Sequence, residues 1–144
     1  MGSGPEAELF ARYNERLRPK LALIELPDGK GAAAEIKRRE ADAILAALPD
    51  NAFVIVLDLG PSAPSSEAFS ARLTQWIETA KPLAFVIGGA EGLEARVIAR
   101  ANAVLSLGAL TWPHMLVRVM LAEQIYRARA IATGHPYHRS GRPG

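Results

Sequence analysis

The chain has 144 residues, no cysteine and a formal net charge of +2. This length predicts one domain with its own core. The lack of cysteine excludes disulfides and thiolate metal sites, and it fits a cytoplasmic protein. Charge is unevenly distributed, because residues 1–94 carry ten Lys/Arg and fourteen Asp/Glu, whereas residues 95–144 carry seven arginines and one acid. Arginine suits phosphate and base contacts, so the basic end indicates a polyanionic partner or simply a solvated basic surface.

The first third of the chain predicts a helix, a strand and a second helix. Residues 1–4 look like a leader or an expression remnant, the domain is expected over 5–139, and 140–144 is expected to be a flexible tail. Leu9, Tyr13 and Leu17 have helical spacing within a helix over 6–18. The alternating KLALIEL segment (20–26) reads as a strand. A turn at 27–29 and a loop to residue 31 then precede a charged amphipathic helix over 32–48.

The rest of the chain alternates strands with helices. Apolar runs predict strands over 52–57, 83–87 and 103–107, and helices are expected through residue 80 after a cap at Ser65 or Ser66, over 91–101, and over 114–133. Strands apolar on both faces are typical of a parallel sheet covered on two sides. The predicted fold class is therefore α/β, with a mostly parallel sheet flanked by helices. In such sheets ligands bind beyond the carboxyl ends of the strands.

Three features fall at those strand ends. Gly88-Gly89-x-x-Gly92 could let the backbone approach a ligand, or could be only a tight strand-to-helix turn. The loop 108–113 has no acidic or basic side chain, so its backbone and apolar walls suit a neutral adenine ring; the alternative is a plain loop around a buried Trp112. Asp58 could be a general base, a ribose contact or a loop cap.

The last helix and its tail offer further candidates. His114 could orient an RNA phosphate or cap the helix, and the cap is the favoured interpretation. The helix over 114–133 is apolar nearly all round, which predicts burial against the sheet and a partner subunit; its charged residues argue against a membrane span. The tail can exchange protons, stack on a base and hold phosphate, or it can be a frayed terminus; its candidate residues are His135, Tyr137, His138 and Arg139. The three histidines lack nearby carboxylates, so no metal site is predicted.

Four segments together resemble one known family. They are VIGGAEGL (86–93), LSLGALTWPHMLVRV (105–119), EQIYRA (123–128) and HPYHR (135–139). The combination closely resembles the RlmH family, bacterial SPOUT-class methyltransferases that act on a pseudouridine of large-subunit (23S) ribosomal RNA. The resemblance covers about residues 6–139.

The resemblance implies a C-terminal trefoil knot, a homodimer, and S-adenosyl-L-methionine as methyl donor. It implies methylation of N3 of a pseudouridine in the assembled ribosome. By matching positions, the tail over 135–139 would lie near the target base and complete the partner's site. The implied cofactor contacts are Leu57, Gly88, Gly89, Leu107, Gly108, Ala109, Leu110, Thr111 and Trp112.

A mechanistic hypothesis gives roles to the polar candidates. His138 or His135 would take the N3 proton, Tyr137 would stack on the base, and phosphates would be steadied by the remaining candidates, Arg139, Arg118, Arg127 and His114. Alignment and proton removal are the two tasks such a methyl transfer demands.

One departure from the family pattern suggests an alternative function. RlmH proteins normally begin with a strand of the type K-x-x-x-x-A-x-G, and here residues 1–4 lead almost directly into the first helix. The alternative is a truncated or engineered knotted dimer that binds cofactor or RNA weakly, or a folding scaffold without catalysis.

Overall fold

The computed structural model describes residues 4–26, 31–58, 60, 62–88 and 92–138. Five helices and three strands follow one another along the chain. In order they are α1 (Pro5–Glu15), α2 (Ala33–Ala47), β1 (Phe53–Asp58), α3 (Ser66–Glu78), β2 (Leu83–Ile87), α4 (Ala95–Arg100), β3 (Ala103–Ser106) and α5 (His114–Ala132).

The three strands form one parallel sheet in the order β2-β1-β3. The central strand pairs Phe53 with Leu83 on one side and Ile55 with Ala103 on the other. Val54, Ile55 and Val56 are completely buried, as expected for a parallel strand covered on both faces. The predicted α/β class and the parallel sheet are confirmed.

Helices cover the two faces of the sheet. On one face, Ile55, Leu57 and Leu105 pack against the core side chains of α3 and α5, and Leu17 after α1 joins the same cluster. On the other face, Val54, Val56 and Val86 pack against α2 and α4. The carboxyl ends of all three strands therefore emerge at one edge, between the two layers.

Most of the predicted elements agree with the structure within a few residues. The predicted strand 83–87 matches β2 in full, and the predicted helix 32–48 differs from α2 by one residue at each end. Ser65 caps α3, because its hydroxyl accepts a hydrogen bond of 3.0 Å from the Ala68 backbone N–H. This confirms the first of the two predicted caps.

The prediction of a strand over 20–26 is wrong. These residues form no regular secondary structure and pair with no strand in the described part of the chain. The Leu21 backbone N–H donates instead to the Asn14 side chain at 2.7 Å, while Ile24 is 67% exposed. Alternating polar and apolar residues indicate a segment with one polar and one apolar face. A strand also needs a neighbouring strand that completes its backbone hydrogen bonds.

Three smaller predictions need correction. α1 ends at Glu15 rather than at residue 18, and α4 begins at Ala95 rather than at residue 91. The favoured helix-capping role of His114 is wrong, because Pro113 is the cap residue and no side-chain cap bond forms there. The predicted turn over 27–29 lies outside the described residues. Within the described residues, no helix is long and apolar enough to cross a membrane.

Candidate active site

A cavity of about 720 Å³ opens at the carboxyl ends of the three strands. This volume lies within the range of roughly 300–1,000 Å³ that is usual for small-molecule sites. Its lining residues come from the loop after each strand and from the first turn of α5: Leu57, Asp58, Ile87, Gly88, Gly92, Leu93, Leu107, Gly108, Leu110, Thr111, Trp112, Pro113, His114 and Val117.

Backbone geometry shapes the loop that forms one wall of the cavity. Gly108 has φ of 99°, a conformation that other residues rarely adopt. Its N–H donates to the Ser106 hydroxyl at 3.0 Å, and its carbonyl accepts from the Gly60 N–H at 3.4 Å. These bonds connect the loop after β3 to the loop after β1, so the wall is held from two sides.

Gly88 marks a second close approach. A Cβ atom built on Gly88 would lie 3.0 Å from two Leu93 side-chain atoms and 3.1 Å from the Gly92 carbonyl carbon. The two interpretations of this motif, a tight turn and a ligand contact, are compatible. Gly88 and Gly92 belong to the turn and also line the cavity.

The structure brings together most of the predicted cofactor contacts. Those found on the cavity wall are Leu57, Gly88, Leu107, Gly108, Leu110, Thr111 and Trp112. Ala109 lies in the same loop without lining the cavity, and Gly89 lies outside the described residues. The alternative of a buried Trp112 is wrong, since this side chain is 40% exposed at the rim.

The predicted tail residues lie at the other end of α5. Tyr137 packs edge-on against Tyr126, with 4.7 Å between ring centroids, and its hydroxyl donates to the Glu123 carboxylate at 3.0 Å. Burial and this hydrogen bond raise the pKa of Tyr137. The tail is therefore folded back onto the helix as far as His138, in contrast to the alternative of a frayed terminus.

His138 is held between two charged groups from different elements. Its Nδ1 lies 3.0 Å from Nη1 of Arg127, and its Nε2 lies 2.9 Å from the Glu67 carboxylate. A guanidinium can only donate and an ionised carboxylate can only accept. These contacts therefore require a neutral imidazole with the proton on Nε2 and the Nδ1 lone pair facing Arg127.

Arg127 and Glu123 form the centre of this cluster. The Arg127 side chain is 8% exposed, and it forms a salt bridge of 2.9 Å with Glu123 one turn earlier. Its guanidinium also lies 4.8 Å from the centroid of the Tyr137 ring. Hydrogen bonds to Glu123 raise the pKa of Arg127 further. In this arrangement its donors face protein groups.

The other two predicted RNA contacts lie near the start of α5. His114 is exposed at the cavity rim. The Arg118 side chain is 13% exposed and lies 3.6 Å from the Glu25 carboxylate, and its Nη1 is a buried donor without a hydrogen-bond partner. Arg139 lies outside the described residues.

Two acids that organise the tail were not among the predicted site residues. Glu123 could have been found, because it stands four residues before Arg127 on a helix, the spacing at which opposite charges meet. Glu67 had no such signal, since 71 positions separate it from His138. Within the described residues, no three side chains of the metal-binding types come together.

None of the described tail residues, 135–138, lines the cavity. Glu123, which accepts the hydrogen bond from the Tyr137 hydroxyl, is nine residues after His114, which corresponds to about 14 Å along the helix axis. One end of α5 therefore presents a loop-lined binding cavity, and the other presents a hydrogen-bonded set of ionisable side chains.

Fold and cavity together define an α/β protein with a cavity of small-molecule size at the carboxyl edge of a parallel sheet. A family model described as a predicted SPOUT methyltransferase matches residues 1–138. This chain belongs to the SPOUT methyltransferase family, and a methyl donor is therefore implied as its cofactor.

The sequence is also similar to curated proteins named ribosomal RNA large subunit methyltransferase H. The protein from Acidiphilium cryptum is 65% identical over 140 residues, covering 97% of this chain and 89% of that protein. The protein from Gluconacetobacter diazotrophicus is 59% identical over 138 residues, covering 96% and 91%. The protein from Rhodospirillum centenum is 50% identical over 139 residues, covering 95% and 91%.

Proposed function

We propose that this chain transfers a methyl group from S-adenosyl-L-methionine to N3 of a pseudouridine in large-subunit ribosomal RNA. The observation that carries the proposal is the cavity at the strand ends of a chain that belongs to a methyltransferase family. The names of its relatives support the RNA substrate. The arginine-rich second part of the sequence supplies charge that suits a polyanion.

The cavity fits the proposed cofactor chemically. Its apolar walls from Leu107, Leu110 and Trp112 suit an adenine ring, and the backbone around Gly108 offers peptide groups for its polar edge. Asp58 supplies a carboxylate at the rim, suited to a ribose hydroxyl or a cationic group. When bound, the cofactor supplies an electrophilic methyl group.

The task left to the protein is to orient the RNA base and remove its N3 proton. Among the two candidate histidines, the geometry favours His135 as the base, because the accepting nitrogen of His138 is occupied by Arg127. His138 then acts by anchoring the tail between Arg127 and Glu67. Tyr137 would stack against the target base once the RNA displaces part of its present packing.

We propose that the active site is shared between two subunits of a homodimer. The separation of tail and cavity along α5 supports this arrangement. Apolar side chains exposed at the cavity end support it as well, since Leu110, Trp112 and Leu116 are 69%, 40% and 38% exposed. The bond between Gly60 and Gly108, which connects the loops after β1 and β3, is consistent with the trefoil knot that we expect there.

Two measurements test the proposed activity. Calorimetry should show saturable binding of S-adenosyl-L-methionine, and mass spectrometry should find one added methyl on pseudouridine in ribosomes incubated with protein and cofactor. Ribosomes whose large-subunit RNA lacks pseudouridine serve as the control and should gain none. An absence of binding at millimolar cofactor would favour the alternative of a non-catalytic knotted scaffold. A ribosomal substrate also implies action in the cytoplasm.

Subunit mixing tests the shared site. A variant with a blocked cavity, Gly88→Val, and a variant with an altered tail, His135→Ala, should each be nearly inactive alone. Random pairing makes half of the dimers mixed, and each mixed dimer has one complete site, so activity should return to about a quarter of wild type. Recovery near zero in a mixture shown to exchange subunits would place the whole site within one chain.

A further inference from the structure

Arg16, the residue that follows α1, lies beside two aromatic rings. Its guanidinium carbon is 5.6 Å from the ring centroid of Tyr13 on its own helix and 5.6 Å from that of Tyr126 on α5. Both distances are within the range of a cation–π contact. The planar head of Arg16 is therefore oriented by packing, while the residue as a whole is exposed.

The second of these rings connects Arg16 to the tail. Tyr126 packs edge-on against Tyr137, with 4.7 Å between the ring centroids. The guanidinium of Arg127 also contacts Tyr137, at 4.8 Å from the centroid of the ring. Arg16 thus stands one aromatic ring, that of Tyr126, away from the residue proposed to stack on the target base.

Arg127 and Arg16 differ in whether a carboxylate of the protein neutralises their charge. Arg127 is neutralised by Glu123. No carboxylate of the described chain forms an ion pair with Arg16, and its neighbour Glu15 is paired with Lys20 at 3.2 Å. Arg16 therefore keeps donors and a positive charge that can face an external anion.

A second exposed arginine lies on the same side of α1. Arg12 precedes Arg16 by four residues, the spacing that places two side chains next to each other on a helix. Like charges at this spacing destabilise a helix slightly, although cations near the end of a helix gain from its dipole. Arg12 and Arg16 therefore place two exposed cations on one side of α1, and Arg16 is the one that contacts α5.

We propose that Arg16, with Arg12 beside it, binds the phosphate backbone of the RNA whose base is presented to the tail. Arg16 is then a positioning residue for the substrate, and the inference rests on the proposed function. Its ring contacts hold the guanidinium in place before the RNA arrives, so less conformational entropy is lost on binding. Phosphate contacts of this kind fix the register of a nucleic acid without reading its sequence.

The test is the salt dependence of binding to intact ribosomes, measured for wild type and Arg16→Ala by filter binding. Each phosphate contact contributes about 0.7–0.9 to the slope of log K against log salt. Arg16→Ala should reduce the magnitude of that slope by about this amount and weaken binding by roughly fivefold at about 0.15 M salt. Arg16→Lys should keep the slope, because it keeps the charge.

Two control variants separate phosphate binding from a structural role. Arg39→Ala removes an exposed arginine from α2, in the opposite helix layer, where it is paired with Glu35; it should leave the slope unchanged. Tyr13→Leu removes one of the two rings but keeps the guanidinium, and it should also retain the wild-type slope.

The outcomes distinguish this inference from the proposed function. An unchanged slope for Arg16→Ala, with wild type binding and methylating ribosomes, would overturn the inference alone. A loss of slope in Tyr13→Leu equal to that in Arg16→Ala would overturn it too, because the effect would then follow from the packing of α1 on α5. Failure of wild type to bind ribosomes would overturn both.

Discussion

Different types of residue surround the two ends of α5. At its start the cavity is shaped by backbone conformation, with glycine at Gly88 and Gly108 and apolar side chains between them. At its end the tail is held by charged side chains, with Glu123, Arg127 and Glu67 around Tyr137 and His138. A cavity of the first kind binds by shape. A cluster of the second kind fixes the protonation and orientation of groups that can take part in chemistry.

This difference predicts that variants at the two ends fail in different ways. Changes at the cavity should remove cofactor binding and leave the tail intact. Changes at the tail should lower the methylation rate or the free energy of unfolding and leave cofactor binding intact.

Gly88→Val should have the largest effect. Its side chain would start 3.0 Å from Leu93 and extend into the space between the strand ends. We expect the affinity for S-adenosyl-L-methionine to fall by at least about a hundredfold, because the pocket shape supplies most of the binding energy. Calorimetry measures the affinity directly.

The matched control for Gly88→Val is Ala41→Val on α2, at a core position that does not line the cavity. Ala41 is 1% exposed, so the added methyl groups overpack the core and cost about 1–3 kcal/mol. Its cofactor affinity should nevertheless stay within twofold of wild type. Equal loss of binding in both variants would mean that global stability, and not the cavity wall, controls affinity.

His135→Ala should have the next largest effect. If this imidazole takes the N3 proton, single-turnover methylation should slow by roughly a hundredfold or more. Raising the pH should restore part of the lost methylation rate, because a higher pH increases the fraction of pseudouridine that is already deprotonated at N3. Cofactor affinity should not change.

His138→Ala is the comparison for that experiment. This variant loses a residue that anchors the tail but keeps the proposed general base, His135. Its methylation rate should therefore fall less, and its pH profile should keep the wild-type shape. A methylation rate that recovers at high pH in His138→Ala, but not in His135→Ala, would exchange the two roles. Near-wild-type rates at all pH values in both variants would exclude histidine catalysis.

Part of this architecture could be predicted from the sequence. The three strands of the sheet and the loop residues of the cavity were predictable, because buried apolar runs define parallel strands and the carboxyl ends of such strands meet at one edge. The irregular structure of segment 20–26 was not predictable, since its alternating pattern carries no information on whether a neighbouring strand is present. The anchor between Glu67 and His138 depends on tertiary packing, and no local pattern specifies it.

Glu123→Gln should destabilise the fold without altering the cavity. The Arg127 side chain, only 8% exposed, would lose its counter-charge. Removing one partner of a buried ion pair costs about 3–5 kcal/mol, and the partial exposure of Glu123 at 16% places the expectation at the lower end. Thermal unfolding should shift down by roughly 6–12 °C.

A double variant checks the cause of that shift. Arg127→Met combined with Glu123→Gln removes both charges, so it should be clearly more stable than Glu123→Gln alone. If the double variant were the less stable of the two, the arginine would stabilise the fold through contacts other than the ion pair, such as its packing on Tyr137.

Tyr137→Phe should have the smallest effect, and it tests the tail through its pH dependence. The pKa of Tyr137 is raised by burial and by the hydrogen bond to Glu123. A group whose pKa is higher in the folded protein stabilises the fold fully below its unfolded pKa of about 10, and the contribution is lost as the pH rises through the folded value. Tyr137→Phe should therefore lose about 1 kcal/mol at neutral pH. The difference from wild type should shrink above about pH 10, as urea unfolding would show. A difference that stays constant up to pH 11 would mean that the pKa of Tyr137 is the same in the folded and unfolded protein, and that the tail at this end of α5 is held by ring packing alone.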